Sequence, residues 1–221
     1  NLPIVKHFNT IDLHKNVTFL IGENGTGKST LLEALAIGYG FNPEGGSRNF
    51  NFSTQKTHSS LSEAIRITKG VSRPKDGYFL RAESFYNVAT NIDAIQKEDP
   101  RMLSSYGGTS LHEQSHGESF FSIFKHRFFG NGIYILDEPE AALSPQRQLA
   151  FLVRLDDLIK QSSQFVIATH SPIILAYPNA KIIQISENGL EELSYKETDH
   201  YNLYKNILNN PEYMLDQLKV G

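Results

Sequence analysis

The stretch NVTFLIGENGTGKSTLLEALAIGY (16–39) decides the fold of this chain of 221 residues. Its first part, 16–22, is apolar, rich in β-forming residues and closed by a glycine, which predicts a buried strand. Its last part, 28–39, places leucine and alanine at the spacing of one helix face, which predicts an amphipathic helix. A glycine-rich connection between such a strand and helix is typical of a phosphate-binding loop.

The connection GENGTGKS (22–29) matches the pattern G-x-x-x-x-G-K-[ST] at every specified position. Its glycines allow backbone N–H groups to turn towards a phosphate, and the start of the helix adds positive potential there. Lys28 supplies a cation for the β- and γ-phosphates, Ser29 offers a hydroxyl to Mg²⁺, and Thr30 can reach the α-phosphate. The predicted nucleotide-binding residues are Gly22, Glu23, Asn24, Gly25, Thr26, Gly27, Lys28, Ser29 and Thr30.

The stretch IYILDEPE (133–140) predicts a second buried strand, which ends in two acids. Asp137 would emerge at the carboxyl end of this strand, where α/β sheets bind ligands. We expect Asp137 to hold Mg²⁺ and Glu138 to polarise the attacking water as a general base.

A third apolar strand, 164–170, ends in the segment ATHSP (168–172). His170 would then lie at the same edge of the sheet as the two acids, within reach of a γ-phosphate. Glu138, His170 and Lys28 are therefore the candidate catalytic residues.

Strands and helices alternate along the chain, which predicts an α/β fold with a largely parallel sheet and flanking helices. We expect a single domain over residues 1–221, with a smaller helical lobe at about 41–115. Further strands are expected at 77–84 and as a hairpin at 181–195 around Asn188-Gly189. Further helices are expected at 60–69, 85–95, 117–128, 145–160 and in the last twenty residues, interrupted at Pro211.

The composition limits the classes of protein that fit. Twenty-one basic and 24 acidic residues give a net charge of −3, which argues against a surface that binds nucleic acid everywhere. The chain has no cysteine, which excludes disulfides and cysteine-ligated metal sites. No apolar run reaches the length of a membrane span, so we expect a cytoplasmic protein with no membrane segment.

The phosphate loop, LDEP and ATHSP, in this order, resemble the motifs of the ATP-binding-cassette superfamily of ATPases. The segment LIGENGTGKSTLLEAL is similar to the corresponding segment of the RecF and SMC branch. The chain also resembles small stand-alone bacterial predicted ATPases of that branch, which lack a coiled coil. The resemblance implies an ATPase that uses ATP and Mg²⁺. It also implies a head-to-tail homodimer that forms with ATP, with DNA repair or defence as the expected role.

The same resemblance implies a signature motif, for which QSHGES (114–119) is the match. Ser115 and Gly117 keep the serine and second glycine of L-S-G-G-Q, whereas His116 and Glu118 depart from it. By resemblance, Ser115 and Gly117 would contact the γ-phosphate held by a second subunit.

The resemblance also implies a loop residue that touches the metal and the water. Glu83 follows a predicted strand and precedes a helix, as that loop should, and is the favoured candidate metal ligand. Gln55 has the expected residue type in a poorer context and stays the alternative.

Other functions compete with this interpretation. HEQSH (112–116) fits the zinc pattern H-E-x-x-H, but neighbouring glycines and the absence of an apolar stripe argue against a helix there. A transporter subunit is disfavoured by the altered signature, and a slow regulatory switch bound to a protein partner stays open. Four basic residues could contact a nucleic-acid backbone: Arg66, Lys69, Arg73 and Lys75.

Overall fold

The central sheet of the computed structural model is built within the described residues, which are 10–47, 61–71, 73–83, 85–96, 106 and 108–220. Its strands are β1 (Val17–Ile21), β2 (Asp76–Arg81), β3 (Gly132–Asp137), β4 (Gln164–Ala168), β5 (Lys181–Ser186) and β6 (Gly189–Leu193). They lie in the order β2-β3-β4-β1-β5-β6. The predicted α/β class and every predicted strand are confirmed.

Neighbouring strands from β2 to β5 run parallel, and only β6 is antiparallel to its neighbour β5. All residues of β1 and β3 are buried, as expected for parallel strands that are covered on both faces. The predicted hairpin joins β5 to β6, and Gly189 there has a φ of 122°, which glycine adopts without strain.

Most of the helices that the structure describes lie where the sequence predicts them. They are α1 (Lys28–Tyr39), α2 (Leu61–Ala64), α3 (Phe85–Gln96), α4 (His116–His126), α5 (Pro145–Lys160), α6 (Pro172–Leu175), α7 (Asp199–Asn209) and α8 (Pro211–Gln217). Helix α2 is shorter than predicted, because β-branched Ile65, Ile67 and Thr68 follow it and are poor helix formers. No helix in these ranges is both long and apolar enough to cross a bilayer.

Two apolar clusters cover the two faces of the sheet. On one face, Leu31 and Leu32 of α1 pack with strand residues such as Ile135. On the other face, α3, α4 and α5 pack around aromatic rings, among them Phe124 and Phe151, whose centroids lie 4.3 Å apart. Helices on both faces therefore hold the strands rigidly, and with them the loops at the strand ends.

The segment predicted as a helical lobe, 41–115, also contributes a strand to the sheet. Strand β2 pairs in register with β3, so that Arg81 lies opposite Asp137. The described part of the lobe therefore includes an edge of the central sheet beside its helices. The outer bounds of the lobe and of the single domain stay predictions.

Candidate active site

The carboxyl ends of β1, β3 and β4 meet at one edge of the sheet, because these strands are parallel and close in the strand order. The loop 22–27 follows β1, Glu138 follows β3, and His170 lies just beyond β4. The three predicted motifs are therefore brought to one edge of the fold.

The phosphate loop depends on glycine at its first position. Gly22 has a φ of 147°, and a Cβ there would lie 2.3 Å from the backbone oxygen of Ile185. Gly25 and Gly27 have φ values of 85° and 100°, in the left-handed region that glycine adopts without a steric penalty. Because the loop ends at Gly27, helix α1 begins directly at Lys28.

Lys28 is buried, with 5% of its surface exposed to solvent. Its ammonium donates to the backbone oxygens of Gly22 at 2.7 Å and Glu23 at 2.9 Å. Burial lowers the pKa of Lys28, and three carboxylates oppose that shift: Glu138, Asp137 and Glu140. The loop therefore holds an ordered cation beside a group of acids.

Ser29 and Asp137, two of the three predicted metal ligands, are in contact. The Ser29 hydroxyl donates to Asp137 Oδ1 over 3.1 Å, and Asp137 is 4% exposed. Burial raises the pKa of Asp137 to about 6, whereas the Arg81 charge and the hydrogen bond from Ser29 lower it. Two oxygen donors thus lie side by side next to the phosphate loop.

Arg81 is a site residue that sequence reasoning missed. Its Nε lies 3.5 Å from Asp137 Oδ2, and its Nη1 lies 3.0 Å from Glu33 Oε2 of α1. Its side chain is 17% exposed. The contact follows from the pairing of β2 with β3, and no local pattern of the sequence reports which strands pair.

Glu83 lies at the surface beside this group, with a side chain that is 86% exposed. Its carboxylate is 3.5 Å from Arg81 Nη2, and its charge raises the pKa of Asp137. Glu83 is therefore linked to Asp137 through Arg81. The alternative candidate, Gln55, lies outside the described residues.

Glu138 has a left-handed backbone, with φ 51° and ψ 54°. This conformation costs a non-glycine residue about 1 kcal/mol or more and is concentrated at functional sites. The Glu138 N–H donates to Ala168 O over 3.0 Å, which anchors the strained residue to β4. Its side chain, 42% exposed, is left free to face the pocket.

His170 lies opposite Glu138, with Nε2 3.8 Å from Glu138 Oε1. Its backbone N–H donates to Glu140 Oε1 over 2.6 Å, and the Thr169 hydroxyl donates to Glu140 Oε2 over 2.7 Å. Burial raises the pKa of Glu140, and these hydrogen bonds oppose the shift. Glu140, which sequence reasoning also missed, ties the loop after β4 to the loop after β3.

A second histidine, His200, completes the surroundings of His170. Its Nε2 lies 3.2 Å from His170 Nδ1. His200 belongs to α7, thirty residues further along the chain. Nothing in the local sequence around either histidine indicates this contact.

An open pocket of about 550 Å³ lies between these motifs. It is lined by Glu23 and Asn24 of the phosphate loop and by Glu138 and His170. Two of the predicted nucleotide-binding residues and two of the predicted catalytic residues therefore line one cavity.

The predicted signature residues lie at the start of α4. Glu118 accepts from the Ser115 hydroxyl at 2.7 Å and from the Ser115 N–H at 3.1 Å, and lies 3.3 Å from Arg147. A Cβ on Gly117 would lie 2.7 Å from Ala142 O, so α4 packs closely on the loop after β3. Ser115 is exposed, as a contact with a second molecule requires.

The zinc alternative is not supported by the structure. A short 3₁₀ helix ends at Glu113, and Gln114 is extended, so HEQSH does not form one continuous helix. Among the described side chains, no group of three or more potential ligands could hold a metal ion of this type.

Comparisons with known proteins agree with the fold. The family model described as an AAA domain matches residues 2–214. No curated protein matches the chain. A nucleotide-free ATP-binding cassette from an ABC transporter is 16% identical, with a TM-score of 0.52 over 96% of this chain and 90% of that chain.

Two other solved structures are also similar to this chain. One is cbiO1 of Clostridium perfringens, part of an ABC transporter complex, which is 18% identical with a TM-score of 0.48 over 92% and 88% of the two chains. The other is the SMC head domain of Thermotoga maritima, which is 16% identical with a TM-score of 0.41 over 83% and 92%. The chain therefore belongs to the AAA domain family, and it has the P-loop ATPase fold of the ATP-binding cassettes.

Proposed function

We propose that this protein binds and hydrolyses ATP with Mg²⁺, and that two copies associate head to tail around two ATP molecules. The observation that carries the proposal is the hydrogen bond of 3.1 Å from Ser29 Oγ to Asp137 Oδ1, beside the buried Lys28. A phosphate loop, a metal pair and a candidate base at one edge are the parts that phosphoryl transfer requires.

Lys28 is the main cation for the phosphates. Its two hydrogen bonds to loop oxygens keep the ammonium in place before the ligand arrives. Phosphate oxygens are stronger acceptors for an ammonium than amide carbonyls, so they would replace those partners. The surrounding N–H groups and the start of α1 add positive potential at the same place.

Ser29 and Asp137 fit a magnesium ion. A hydroxyl and a carboxylate are hard oxygen donors, and Mg²⁺ in such sites takes few protein ligands besides water and phosphate. The ion would supply neutralisation of the phosphate charge. The burial that raises the pKa of Asp137 also makes a nearby divalent cation favourable to its ionised form.

Glu138 and His170 both line the pocket. The Glu138 carboxylate is accessible and can accept a proton from water as a general base. His170 can contact an oxygen of the γ-phosphate through Nε2, the nitrogen that points towards Glu138. These roles divide proton transfer and charge stabilisation between two strand ends.

Ser115 and Gly117 are proposed to act in the second subunit. The start of α4 offers a hydroxyl and backbone N–H groups to the γ-phosphate of the other copy. In the single chain, the Glu118 carboxylate accepts from the hydroxyl and the backbone N–H of Ser115. On dimer formation, the γ-phosphate of the other copy would therefore replace the Glu118 carboxylate as the acceptor at this helix start. Arg147 would remain as the ion-pair partner of Glu118.

DNA is the second candidate partner, and a specific surface favours it. Four basic side chains in the segment between α2 and the edge strand β2 are exposed: Arg66, Lys69, Arg73 and Lys75. Their charge would bind a phosphate backbone in a salt-dependent way. Binding of a labelled duplex that weakens with salt and strengthens with Mg-ATP would support this partner.

The test of the activity compares Lys28→Ala with Lys15→Ala, which removes an exposed lysine away from the site. We expect Lys28→Ala to lower ATP hydrolysis by about 100-fold, the usual effect of losing one main charge-stabilising group. Lys15→Ala should keep the wild-type rate. Equal rates for Lys28→Ala and the wild type would overturn the proposed ATPase site.

A further inference from the structure

The contact between His170 and His200 is held by the start of α7. Thr198 precedes this helix and is fully buried. Its hydroxyl donates to Tyr195 O over 2.7 Å and accepts from Tyr201 N over 3.2 Å. This cap fixes the first turn of α7, and His200 lies in that turn. The backbone position of His200 is therefore set by the fold.

The two rings share one hydrogen bond. His170 Nδ1 and His200 Nε2 are 3.2 Å apart, so one of them carries the proton and the other accepts. The remaining nitrogens, His170 Nε2 and His200 Nδ1, are shielded from solvent and have no hydrogen-bond partner among the described residues. The direction of the shared hydrogen bond thus decides whether Nε2 of a neutral His170 carries a proton.

The surroundings of His170 Nε2 determine that direction. Nε2 faces Glu138 Oε1 at 3.8 Å, and a carboxylate oxygen only accepts. The γ-phosphate oxygens that we place in this pocket only accept as well. If Nε2 of a neutral imidazole faces only acceptors, the ring must carry its proton on Nε2, and Nδ1 is then an acceptor. The donor to Nδ1 is then His200 Nε2–H.

We propose that His200 is a positioning residue that holds His170 in the Nε2–H tautomer, with this nitrogen facing Glu138 at the nucleotide pocket. The proposal rests on the proposed ATPase function for its catalytic meaning. It adds a residue from the C-terminal part of the chain, outside every motif that the sequence presented. The tautomer of a histidine is set by the partner of its other nitrogen, and here that partner is a second histidine.

Burial lowers the pKa of His200 and so favours the neutral form of this ring. Burial, His170 and Lys28 lower the pKa of His200, and Asp199 opposes this shift. Glu138 and Glu140 face His170 from the loop after β3, one at the ring and one at the backbone N–H. A neutral His200 can donate from Nε2 while it leaves Nδ1 of its own ring unprotonated.

The first measurement is the tautomer of His170 in the full chain, by two-bond ¹H–¹⁵N correlation of the imidazole nitrogens near neutral pH. We expect the Nε2–H form in the wild type and a mixture of tautomers in His200→Met, which keeps bulk but removes the donor. A ring of His170 that is protonated on Nδ1 in the wild type would overturn the proposal. This readout does not depend on ATP hydrolysis.

The second measurement separates turnover from binding. His200→Met should lower kcat by about five- to tenfold, the effect of about one hydrogen bond, and leave the Kd for ATP within about twofold. His200→Gln, whose amide N–H can donate from a similar place, should restore most of kcat. Leu208→Ala, an exposed change on the same helix, should match the wild type.

The two measurements distinguish the possible failures. If the wild type does not hydrolyse ATP but His170 is the Nε2–H tautomer and loses it in His200→Met, the proposed function fails while the positioning role stands. If the wild type hydrolyses ATP and His200→Met keeps kcat within about twofold, the positioning role is overturned. A loss in His200→Gln as large as in His200→Met would also overturn it.

Discussion

The Ser29 hydroxyl donates to Asp137 Oδ1 over 3.1 Å across a sequence separation of 108 residues. This bond joins the first turn of α1 to the end of β3. Strand β4 lies between β1 and β3, so the bond spans the edge of the sheet where parallel strands meet. The oxygen pair that we assign to Mg²⁺ is therefore preformed by the sheet.

The role of Glu138 can be tested by Glu138→Gln. We expect ATP to bind as in the wild type, because the phosphate loop is unchanged. Hydrolysis should fall by about 100-fold or more, because an amide cannot accept the proton of the attacking water. The ATP-bound dimer should then accumulate, and light scattering after gel filtration would show the doubled mass.

The matched control for this variant is Glu187→Gln, which makes the same change at an exposed position between β5 and β6. It should hydrolyse ATP like the wild type and form no lasting dimer. Normal turnover in Glu138→Gln would show that another group accepts the proton.

The contact in the second subunit can be tested by Ser115→Arg. A long cation at the exposed start of α4 should block the approach of another copy by its bulk. We expect ATP binding to the monomer to persist and the ATP-dependent dimer to disappear. Sedimentation velocity with Mg-ATP, in the Glu138→Gln background, measures the dimer fraction.

Asn206→Arg serves as the control for that experiment. It places the same side chain at an exposed position of α7 and should leave the dimer intact. A dimer fraction in Ser115→Arg equal to that of this control would contradict a role for 114–119 between subunits.

Asp137 predicts a specific pH dependence of stability. Burial raises its pKa from 3.8 to about 6. The folded protein therefore keeps this proton where the unfolded chain has lost it, so the contribution to stability is present at low pH and is lost as the pH rises through about 6. Without metal or nucleotide, the free energy of unfolding should fall by about 1 kcal/mol between pH 5 and 7 from this group alone.

Urea unfolding of the wild type and Asp137→Asn at these two pH values isolates the contribution. Asparagine does not titrate, so the variant should lack the extra loss of about 1 kcal/mol. If both proteins show the same pH dependence, the pKa of Asp137 is not raised in the folded state.

Arg81 predicts a loss of stability on substitution. Arg81→Met leaves the carboxylates of Glu33 and Asp137 without their cation in a largely buried place. We expect the free energy of unfolding to fall by about 2 kcal/mol, somewhat less than for a fully buried pair. Chemical denaturation of the metal-free protein measures it.

Arg147→Met provides the comparison, because its ion pair with Glu118 is more exposed. A surface pair of this kind contributes little to stability, because solvent screens it. Equal losses in the two variants would mean that Arg81 acts as an ordinary surface charge.

Much of the fold was accessible from local patterns. Helix α1 was predicted at 28–39 and α5 at 145–160, both with the bounds that the structure has. Leucine spacing marks the first, and Ser144 followed by Pro145 marks the start of the second. The architecture of segment 41–115 was harder to predict, because helical patterns and a strand pattern both occur in it. Only the pairing of β2 with β3 shows that β2 joins the central sheet.

The residues of the candidate site also divide into those that a local motif indicates and those that only the tertiary structure reveals. Lys28, Asp137, Glu138 and His170 were named from motifs, since each follows a strand in a pattern of contiguous residues. Their roles stay predictions, although Glu138 and His170 line one pocket together with Glu23 and Asn24 of the phosphate loop.

The sequence by itself determined the kinds of elements, the phosphate loop and the order of the motifs, because periodicity and the need for glycine are properties of neighbouring residues. Only the tertiary structure decided that Arg81 meets Asp137 and that His200 meets His170. These contacts depend on which strands pair and where α7 docks. Burial over the whole fold controls both, and no short stretch of the chain encodes it.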